Sequence, residues 1–237
     1  MLHKLYHELA EWYPLLTLLD DYKEEAEYFH DILVKNSSKQ HVAMLELGSG
    51  AGYNAYFLKQ WYEVTLTDLS EKMLDLSRKI NPKCGHFLGD MKELRLDRTF
   101  DIVFIHDAIG YMKYEEDLRK AIATASVHCK PGGVVLITPD YVKEIFKPHT
   151  DHGGEDGDDR SLRYLEWVTG INANGTYTVD FILALRENDS VKTFHDRHEE
   201  GLFSESQWLN FLTDAGLTPA AIKDPFGRII FIGHKSN

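Results

Sequence analysis

Residues 42–53 read VAMLELGSGAGY, an apolar run followed by three glycines at alternate positions. The apolar run predicts a buried strand over 42–45, and residues 53–58 predict a helix directly after the turn. Glycines at such a junction leave bare backbone amides that can approach a ligand which side chains would exclude. The stretch therefore predicts a strand, a ligand-binding turn and a helix.

The same succession of strand and helix recurs downstream. Further buried strands are predicted over 64–67, 102–105 and 134–138. Further helices are predicted over 22–35, from the N-cap Ser70 onward, and over 114–128. Strands that alternate with helices at this spacing imply parallel βαβ units with helices on both faces of the sheet.

Beyond Pro139 the pattern changes. Residues 164–169, 177–184 and 190–195 alternate in the manner of antiparallel strands. Ser204 and Gln207 then form a capping box for a helix that ends at Gly216. Residues 220–223 and 228–232 predict a closing hairpin.

Composition excludes several classes of protein. Lysine and arginine total 26 against 38 aspartate and glutamate, a formal net charge of −12 that repels phosphate backbones, so no nucleic-acid partner is expected. The longest apolar run, Phe181–Leu185, is far shorter than the roughly 20 residues that cross a bilayer, so no membrane partner is expected. Cys84 and Cys129 form no CxxC pair and predict reduced thiols in a cytoplasmic protein.

The glycine spacing bears on the ligand. Gly48, Gly50 and Gly52 are spaced G-x-G-x-G, whereas a dinucleotide fingerprint needs G-x-G-x-x-G and finds Tyr53 at its third place. Asp68 follows Gly48 by 20 residues, at the end of the second predicted strand, where a carboxylate can accept both hydroxyls of a ribose. An acid at this position is also expected in an NAD-binding site, so an NAD-dependent oxidoreductase stays an alternative.

Further motifs favour another cofactor. Glu46 before the first glycine, the segment Gly89-Asp90-Met91 and the C-terminal hairpin together resemble class I S-adenosylmethionine-dependent methyltransferases over residues 42–138 and 204–235. The resemblance implies S-adenosylmethionine as cofactor and S-adenosylhomocysteine as product. It implies cofactor contacts from Tyr22, Glu46, Gly48, Ser49, Gly50, Gly52, Asp68, Leu69, Met73, Asp90, Met91 and His106.

The resemblance also implies how the chain is organised. The expected fold is α/β, a doubly wound Rossmann-like sheet of seven mostly parallel strands, with a C-terminal antiparallel hairpin and an antiparallel β insertion over the active site. The 237 residues fit a single methyltransferase domain. Its parts are expected to be an N-terminal helical cap (1–40), a cofactor-binding core (41–141 and 204–237) and a β insertion or acceptor lid (142–203).

A closer resemblance concerns the acceptor. The segments 191–198, Gly201-Leu202-Phe203 and Gly110-Tyr111-Met112 are similar to amino-sugar N,N-dimethyltransferases of macrolide biosynthesis, and Tyr13 matches a tyrosine that lines their acceptor pocket. His106-Asp107 departs from that subgroup, which has an aromatic residue and a serine there. The resemblance implies a small-molecule acceptor, most simply an amine. An O- or C-methyltransferase and a non-catalytic cofactor-binding module stay alternatives.

Methyl transfer by in-line displacement needs an aligned, unprotonated nucleophile. Asp107 follows the third predicted strand at the C-terminal edge of the sheet, where it can attract an ammonium group. Asp196 and His198 share one face of an extended segment, and His198 is the predicted proton acceptor. The predicted catalytic set is therefore His198, Asp107, Tyr13 and Asp196.

Two H-x-x-H pairs raise the question of a metal: His149 with His152, and His195 with His198. Residues three apart in a strand face opposite sides, so His195 and His198 are not expected to share an ion. The acidic stretch 151–159 lacks the calcium-loop order and is expected to be a solvated lid. We therefore predict no metal. Aromatic residues near both ends of the chain are compatible with a homodimer or with core packing.

Overall fold

The computed structural model describes residues 3–37 and 42–237. Residues 1–2 and 38–41, which belong to the predicted cap and the start of the predicted core, lie outside the described residues. The strands, in chain order, are β1 (Ala43–Leu47), β2 (Glu63–Asp68), β3 (Gly85–Leu88), β4 (Phe100–Ile105), β5 (Cys129–Ile137), β6 (His149–Gly153), β7 (Arg160–Val168), β8 (Thr176–Glu187), β9 (Ser190–Gly201), β10 (Leu217–Lys223) and β11 (Ile229–Lys235).

The strands form two sheets. One has seven strands in the order β10-β11-β5-β4-β1-β2-β3, and the other has four in the order β6-β7-β8-β9. In the large sheet the pairs from β3 to β5 are parallel, whereas β11 runs antiparallel to β5 and to β10. The predicted fold class is confirmed. Its parallel strands end at one common edge, which is where open α/β sheets bind ligands.

Helices cover both faces of the large sheet because its buried strands are apolar on both sides. The helices are α1 (Tyr13–Leu16), α2 (Lys23–Asn36), α3 (Tyr53–Leu58), α4 (Glu71–Ile80), α5 (Glu115–His128) and α6 (Glu205–Asp214). Met44 of β1 packs with Phe29 and Leu58 in one layer. Leu45, its neighbour in sequence, packs with Leu118 and Trp208 in the other layer.

The four-stranded sheet lies between β5 and α6 in the chain, and its strands are antiparallel throughout. Residues 3–22, here called the N-terminal segment, consist of short 3-10 turns and α1. Leu5 and Trp12 of this segment pack against Leu162 of β7 and Leu183 of β8. The N-terminal segment is therefore attached to the smaller sheet, while α2 packs on the larger one.

Two strands were missed by the sequence patterns. β3 is short and its Phe87 and Leu88 are exposed, so it carries no buried apolar alternation. β6 begins within the segment His149-Thr150-Asp151-His152, which is exposed and polar and was expected to be part of a lid. Both are edge strands of their sheets, where pairing needs only backbone groups.

The strand predicted over 134–138 begins earlier, as β5 at Cys129, and residues 130–133 lie within it as an irregular bulge. Phe100 pairs with Cys129 while Ile102 pairs with Val134, so the extra residues bulge out of the ladder. Gly132 supplies the positive φ of 70° that this path requires.

The predicted caps are confirmed by hydrogen bonds. Ser70 accepts the Met73 amide at 3.3 Å, and Ser204 accepts the Gln207 amide at the same distance. Gly216 follows the last turn of α6 with a φ of 79°. Among the described residues, none of the helices combines the length and the hydropathy that crossing a membrane requires.

Candidate active site

A cavity of about 1310 Å³ lies at the carboxyl ends of β1, β2 and β4. Its walls come from the large sheet, from β8 and β9, and from the N-terminal segment. Of the predicted site residues only Gly52 lies outside its lining. The others line it: Tyr13, Tyr22, Glu46, Gly48, Ser49, Gly50, Asp68, Leu69, Met73, Asp90, Met91, His106, Asp107, Asp196 and His198.

The glycine loop forms the floor of the cavity. Gly48 has a φ of 71°, and a Cβ atom there would lie 2.5 Å from Cβ of Ala108 and 2.7 Å from Cε of Met91. Gly52 has a similar φ of 72°, but a Cβ there would lie 2.2 Å from Oγ of Ser77, away from the cavity. Gly48 therefore keeps the cavity open, whereas Gly52 allows α4 to pack closely against the loop.

Asp68 holds the loop through its side chain. One carboxylate oxygen accepts the Gly50 amide at 2.8 Å, and the other accepts the Ser70 amide at 2.7 Å. Burial raises the pKa of Asp68, and these backbone hydrogen bonds oppose the shift. Further along the same edge, Asp90 accepts the amide of Lys92 at 2.8 Å. Both acids thus have fixed positions on the cavity wall.

Glu46 is the most unusual group on the cofactor side. It is the penultimate residue of β1 and is 2% exposed, and its Oε2 atom has no hydrogen-bond partner among the described residues. Burial raises the pKa of Glu46 to about 8; the charge of His106 opposes this shift and that of Asp68 adds to it. The Ser49 hydroxyl nearby also lacks a described partner. Unpartnered buried polar atoms beside a cavity indicate that a ligand completes them.

On the opposite side, β9 meets the turn that follows β4. The Tyr111 hydroxyl lies 2.7 Å from Nδ1 of His198, and Nε2 of His198 lies 3.1 Å from the Asp196 carboxylate. Asp196 also accepts the backbone amide of Leu5 at 2.8 Å, which attaches the N-terminal segment to β9. Both nitrogens of His198, the predicted proton acceptor, therefore already face protein groups, and Tyr111 lines the cavity beside it.

Tyrosines make up much of the remaining wall. The hydroxyl oxygens of Tyr6 and Tyr111 are 2.9 Å apart, and those of Tyr13 and Tyr22 are 3.4 Å apart. Burial raises the pKa of Tyr13 to about 12, so it is a neutral hydroxyl at pH 7. The cavity thus offers aromatic faces and neutral hydroxyls to whatever it binds.

Asp107 and His106 belong to a network of charges that reaches away from the cavity. His106 lies between two carboxylates, with Nδ1 at 3.1 Å from Asp107 and Nε2 at 2.9 Å from Glu25. Arg228, from the turn before β11, contacts the other oxygen of Glu25 at 2.5 Å and Asp224 at 2.7 Å. His106 was predicted to contact the cofactor; it does line the cavity, but both of its nitrogens face carboxylates.

The histidine pairs do not gather into metal sites as H-x-x-H spacing would require. His195 contacts Asp180 at 2.5 Å on the exposed face of β9, opposite to buried His198, as the strand geometry predicts. Within residues 3–37 and 42–237, a different group of ligand atoms comes together. Atoms of His3, Asp196 and His198 lie within 4.8 Å of one another. His198 is hydrogen-bonded to Tyr111 and Asp196 is hydrogen-bonded to the Leu5 amide, and these bonds already explain why their side chains lie close together.

Comparisons with known proteins agree with this geometry. A family model described as a methyltransferase domain matches residues 44–133. The dTDP-3-amino-3,4,6-trideoxy-alpha-D-glucopyranose N,N-dimethyltransferase of Streptomyces venezuelae is 31% identical over 222 residues, which cover 90% of this chain and 91% of that protein. The chain belongs to the amino-sugar N,N-dimethyltransferase family.

Solved structures of similar proteins share the architecture. The crystal structure of DesVI from Streptomyces venezuelae aligns with a TM-score of 0.85 at 26% identity, covering 96% of this chain and 98% of that one. CalS10 from Micromonospora echinaspora, an amino pentose methyltransferase solved with S-adenosylmethionine bound, aligns with a TM-score of 0.78 at 21% identity over 91% of this chain and 92% of that one. At 21% identity, the similarity to CalS10 shows only that the fold is shared.

The methyltransferase is therefore an enzyme that uses S-adenosylmethionine and acts on a small-molecule acceptor, and the oxidoreductase and non-catalytic alternatives are wrong. The residues present fit the cofactor. Gly48 leaves space that any Cβ would fill, and the unpartnered Oε2 of Glu46 can accept hydrogen bonds from an ammonium group.

Sequence reasoning missed several residues of the acceptor side of this methyltransferase. Tyr177 donates a short hydrogen bond to Glu200, and both line the cavity together with Tyr6, Asp140 and Glu166. Burial and the neighbouring Asp140 charge raise the pKa of Glu200 to about 8, although the bond from Tyr177 opposes this. Glu200 shared the alternation of Asp196 and His198, so extending the period-two pattern by one step would have found it.

Proposed function

We propose that this methyltransferase moves methyl groups from S-adenosylmethionine to the amino nitrogen of a deoxyamino sugar carried on a nucleoside diphosphate, ending at the N,N-dimethyl product. One observation carries the proposal. The cavity that holds the glycine loop at one end continues into a chamber of tyrosines and carboxylates at the other. The 31% identical relative, named for a dTDP-linked amino sugar, supports the same acceptor class.

The chamber suits a small cation. Asp107, Asp140, Glu166 and Glu200 all line it, and their mutual repulsion favours a positively charged guest. Tyrosine faces on the same wall attract an ammonium group and pack against the apolar side of a deoxysugar. A protonated amine is therefore drawn toward the cofactor end.

Cations near the edge of the cavity suit the other end of the acceptor. Lys4 and Arg197 are exposed, Lys113 is half-buried, and all three line the cavity. Their charges can face a diphosphate that stays in solvent, although Arg197 and Lys113 also pair with Asp180 and Glu199. This polarity, anionic inside and cationic outside, is the one that a nucleotide-linked amino sugar requires.

The bound cofactor supplies an electrophilic methyl group on a sulfonium. Asp107 draws in the ammonium of the acceptor. The Tyr111 hydroxyl, which donates to the Tyr6 hydroxyl in this structure, turns toward Nδ1 of His198 and passes its proton there as it takes one proton from the ammonium. Asp196 keeps His198 oriented and stabilises the imidazolium that forms. Tyr13 and Tyr6 would align the neutral amine with that methyl group, so that the N–C bond could form as the C–S bond of the cofactor breaks and S-adenosylhomocysteine leaves.

Three broader features belong to the same proposal. Residues 142–203 act as the acceptor lid of a single domain, since β9 supplies His198 to the cavity, and residues 1–40 act as its cap. Leu165 and Trp167 of β7 are exposed at 47% and 40%, which supports a homodimer through the smaller sheet. The sequence has two cysteines, Cys84 and Cys129, and no CxxC pair, which supports a cytoplasmic protein.

The experiment is to measure S-adenosylhomocysteine release with nucleotide-linked amino sugars, free amino sugars, hydroxylated aromatics and carboxylates, with and without chelator. Mass spectrometry and NMR then locate the methyl groups. We expect release with the nucleotide-linked amine, two methyl groups on nitrogen and no effect of chelator. Methylation of oxygen or carbon would overturn the proposal. Activity with another class of acceptor and none with the amines would overturn it as well.

A further inference from the structure

His106 and Asp107 separate the acceptor cavity from a second, smaller one. The second cavity has a volume of about 300 Å³, and its lining includes Glu25, Arg228 and the exposed side chains of Asp21 and Phe226. Tyr22, His106 and Asp107 line both cavities. Charged groups behind this shared wall therefore act on Asp107 without touching the acceptor.

The wall contains an alternating row of charges. Asp107 contacts His106 at 3.1 Å, His106 contacts Glu25 at 2.9 Å, and Glu25 contacts Arg228 at 2.5 Å. The row joins three separate parts of the chain: the turn after β4, helix α2 and the turn before β11. Side-chain exposure falls from 38% at Asp107 to 10% at His106, so Asp107 is the more open of the two residues of the row that line the acceptor cavity.

His106 stays protonated in this setting. The groups that face it are Glu25 from α2, Glu46 from β1, Asp107 and Asp140 after β4 and β5, and Arg228. Burial lowers its pKa, but the charges of Asp107 and Glu25 outweigh burial and that of Arg228, and raise the pKa to about 9. Burial and the Asp140 charge raise the pKa of Asp107 well above its usual value, and the His106 charge opposes this shift, so the His106 charge favours the ionised form of Asp107.

We propose that Glu25, His106 and Arg228 are positioning residues that direct the Asp107 carboxylate into the acceptor cavity and favour its charge pairing with an ammonium, and that they thereby set the preference for an amine over a hydroxyl at the methylated position. This inference rests on the proposed function, because it assumes that the acceptor arrives as an ammonium. Glu25 holds His106 as a cation, the His106 cation favours the anionic form of Asp107, and Arg228 fixes the orientation of Glu25.

The test compares two ligands of the S-adenosylhomocysteine-bound enzyme, the amino sugar nucleotide and its analogue with a hydroxyl in place of the amine. We expect Glu25→Gln to weaken the amine by about tenfold or more and to leave the hydroxyl analogue nearly unchanged, because only the amine uses the Asp107 charge. In kinetics the change appears in KM more than in kcat. The wild-type KM should rise as pH passes about 9, the pKa of His106, and the rise should move to lower pH in Glu25→Gln.

Glu24 is the matched control, since it is an exposed acid beside Glu25 on the same helix. Glu24→Gln should change neither ligand. Arg228→Lys should restore most of the selectivity that Arg228→Gln loses, which a purely structural role would not predict. Equal weakening of amine and hydroxyl ligands, or none, in folded Glu25→Gln and Arg228→Gln would overturn the inference. A wild-type enzyme that methylates no amine would overturn the proposed function instead.

Discussion

The hydroxyl of Tyr111 and Nδ1 of His198 lie 2.7 Å apart, across the junction between the two sheets. Tyr111 belongs to the turn after β4, whereas His198 belongs to β9 in the insertion. Because His198 is 1% exposed and its other nitrogen faces Asp196, the proposed route for a proton from the acceptor to His198 runs through the Tyr111 hydroxyl. In that proposal each sheet contributes one member of the proton-transfer pair.

Removing only that hydroxyl tests the unit. We expect Tyr111→Phe to lower kcat by about 100-fold, the order of a general-base contribution, and to leave S-adenosylhomocysteine affinity within about twofold of the wild-type value. Tyr114→Phe is the control, since the Tyr114 side chain is 54% exposed and only three residues away. Steady-state rates at saturating acceptor and calorimetry with the product supply the two readings. An unchanged kcat would remove both Tyr111 and His198 from proton transfer.

A second prediction concerns the acid at the end of β2. Asp68→Asn keeps the volume of the side chain but leaves one oxygen to serve both backbone amides and any ribose hydroxyl. We expect S-adenosylhomocysteine binding to weaken by about 1.5 to 3 kcal/mol, the usual cost of losing a hydrogen bond to a charged group. Asp75→Asn, on the exposed face of α4, should bind normally. Calorimetry that gives equal dissociation constants for the two variants would refute the role of Asp68.

The cofactor half could be read from the sequence because its signals are local. The strand before Gly48, the spacing to Asp68 and the N-cap Ser70 each depend on residues a few positions apart, and each is present as predicted. β3 escaped because an exposed edge strand needs no apolar pattern. An alternating pattern of apolar residues marks strands with a buried face, and therefore it does not detect an exposed edge strand.

The acceptor half is assembled from distant parts of the chain, which spacing cannot reveal. Tyr6 and Tyr111 are 105 residues apart, and Glu25 meets Arg228 only because α2 and the C-terminal hairpin pack on the same edge of the sheet. Asp196 and His198 were found because they share one strand face. Their partners on other elements carried no signal in the sequence.

Glu46 leads to a prediction about pH. Its pKa of about 8 in the free enzyme means that the carboxyl is mostly protonated at pH 7. An ammonium group beside it favours the ionised form, so cofactor binding at pH 7 should release a proton, and this release should fall as the pH rises through about 8. Calorimetry in buffers of different ionisation enthalpy measures it. Glu46→Gln should abolish the release, whereas Glu63→Gln, with a side chain 78% exposed, should preserve it.

The same group should affect stability in a defined direction. The folded state binds more protons than the unfolded state between pH 4.5 and about 8, because the raised pKa belongs to the folded state only. The contribution of Glu46 to the free energy of unfolding is therefore intact below pH 4.5 and falls as pH rises through that window. Denaturant titrations should show a flatter pH dependence for Glu46→Gln. A parallel pair of curves would contradict the raised pKa.

The last prediction separates backbone strain from loss of space in the glycine loop. Gly48 and Gly216 have φ values of 71° and 79°, so alanine at either position should lower the free energy of unfolding by about 1 to 2 kcal/mol, because it must adopt a left-handed backbone. Nothing lies within 4 Å of a Cβ at Gly216, whereas a Cβ at Gly48 would lie 2.5 Å from Cβ of Ala108. Gly216→Ala should therefore lose stability only, and Gly48→Ala should lose more stability and also S-adenosylhomocysteine binding. If both variants bind the product equally well, the floor of the cavity does not depend on the missing side chain of Gly48, and the loop acts through its hydrogen bonds to Asp68 alone.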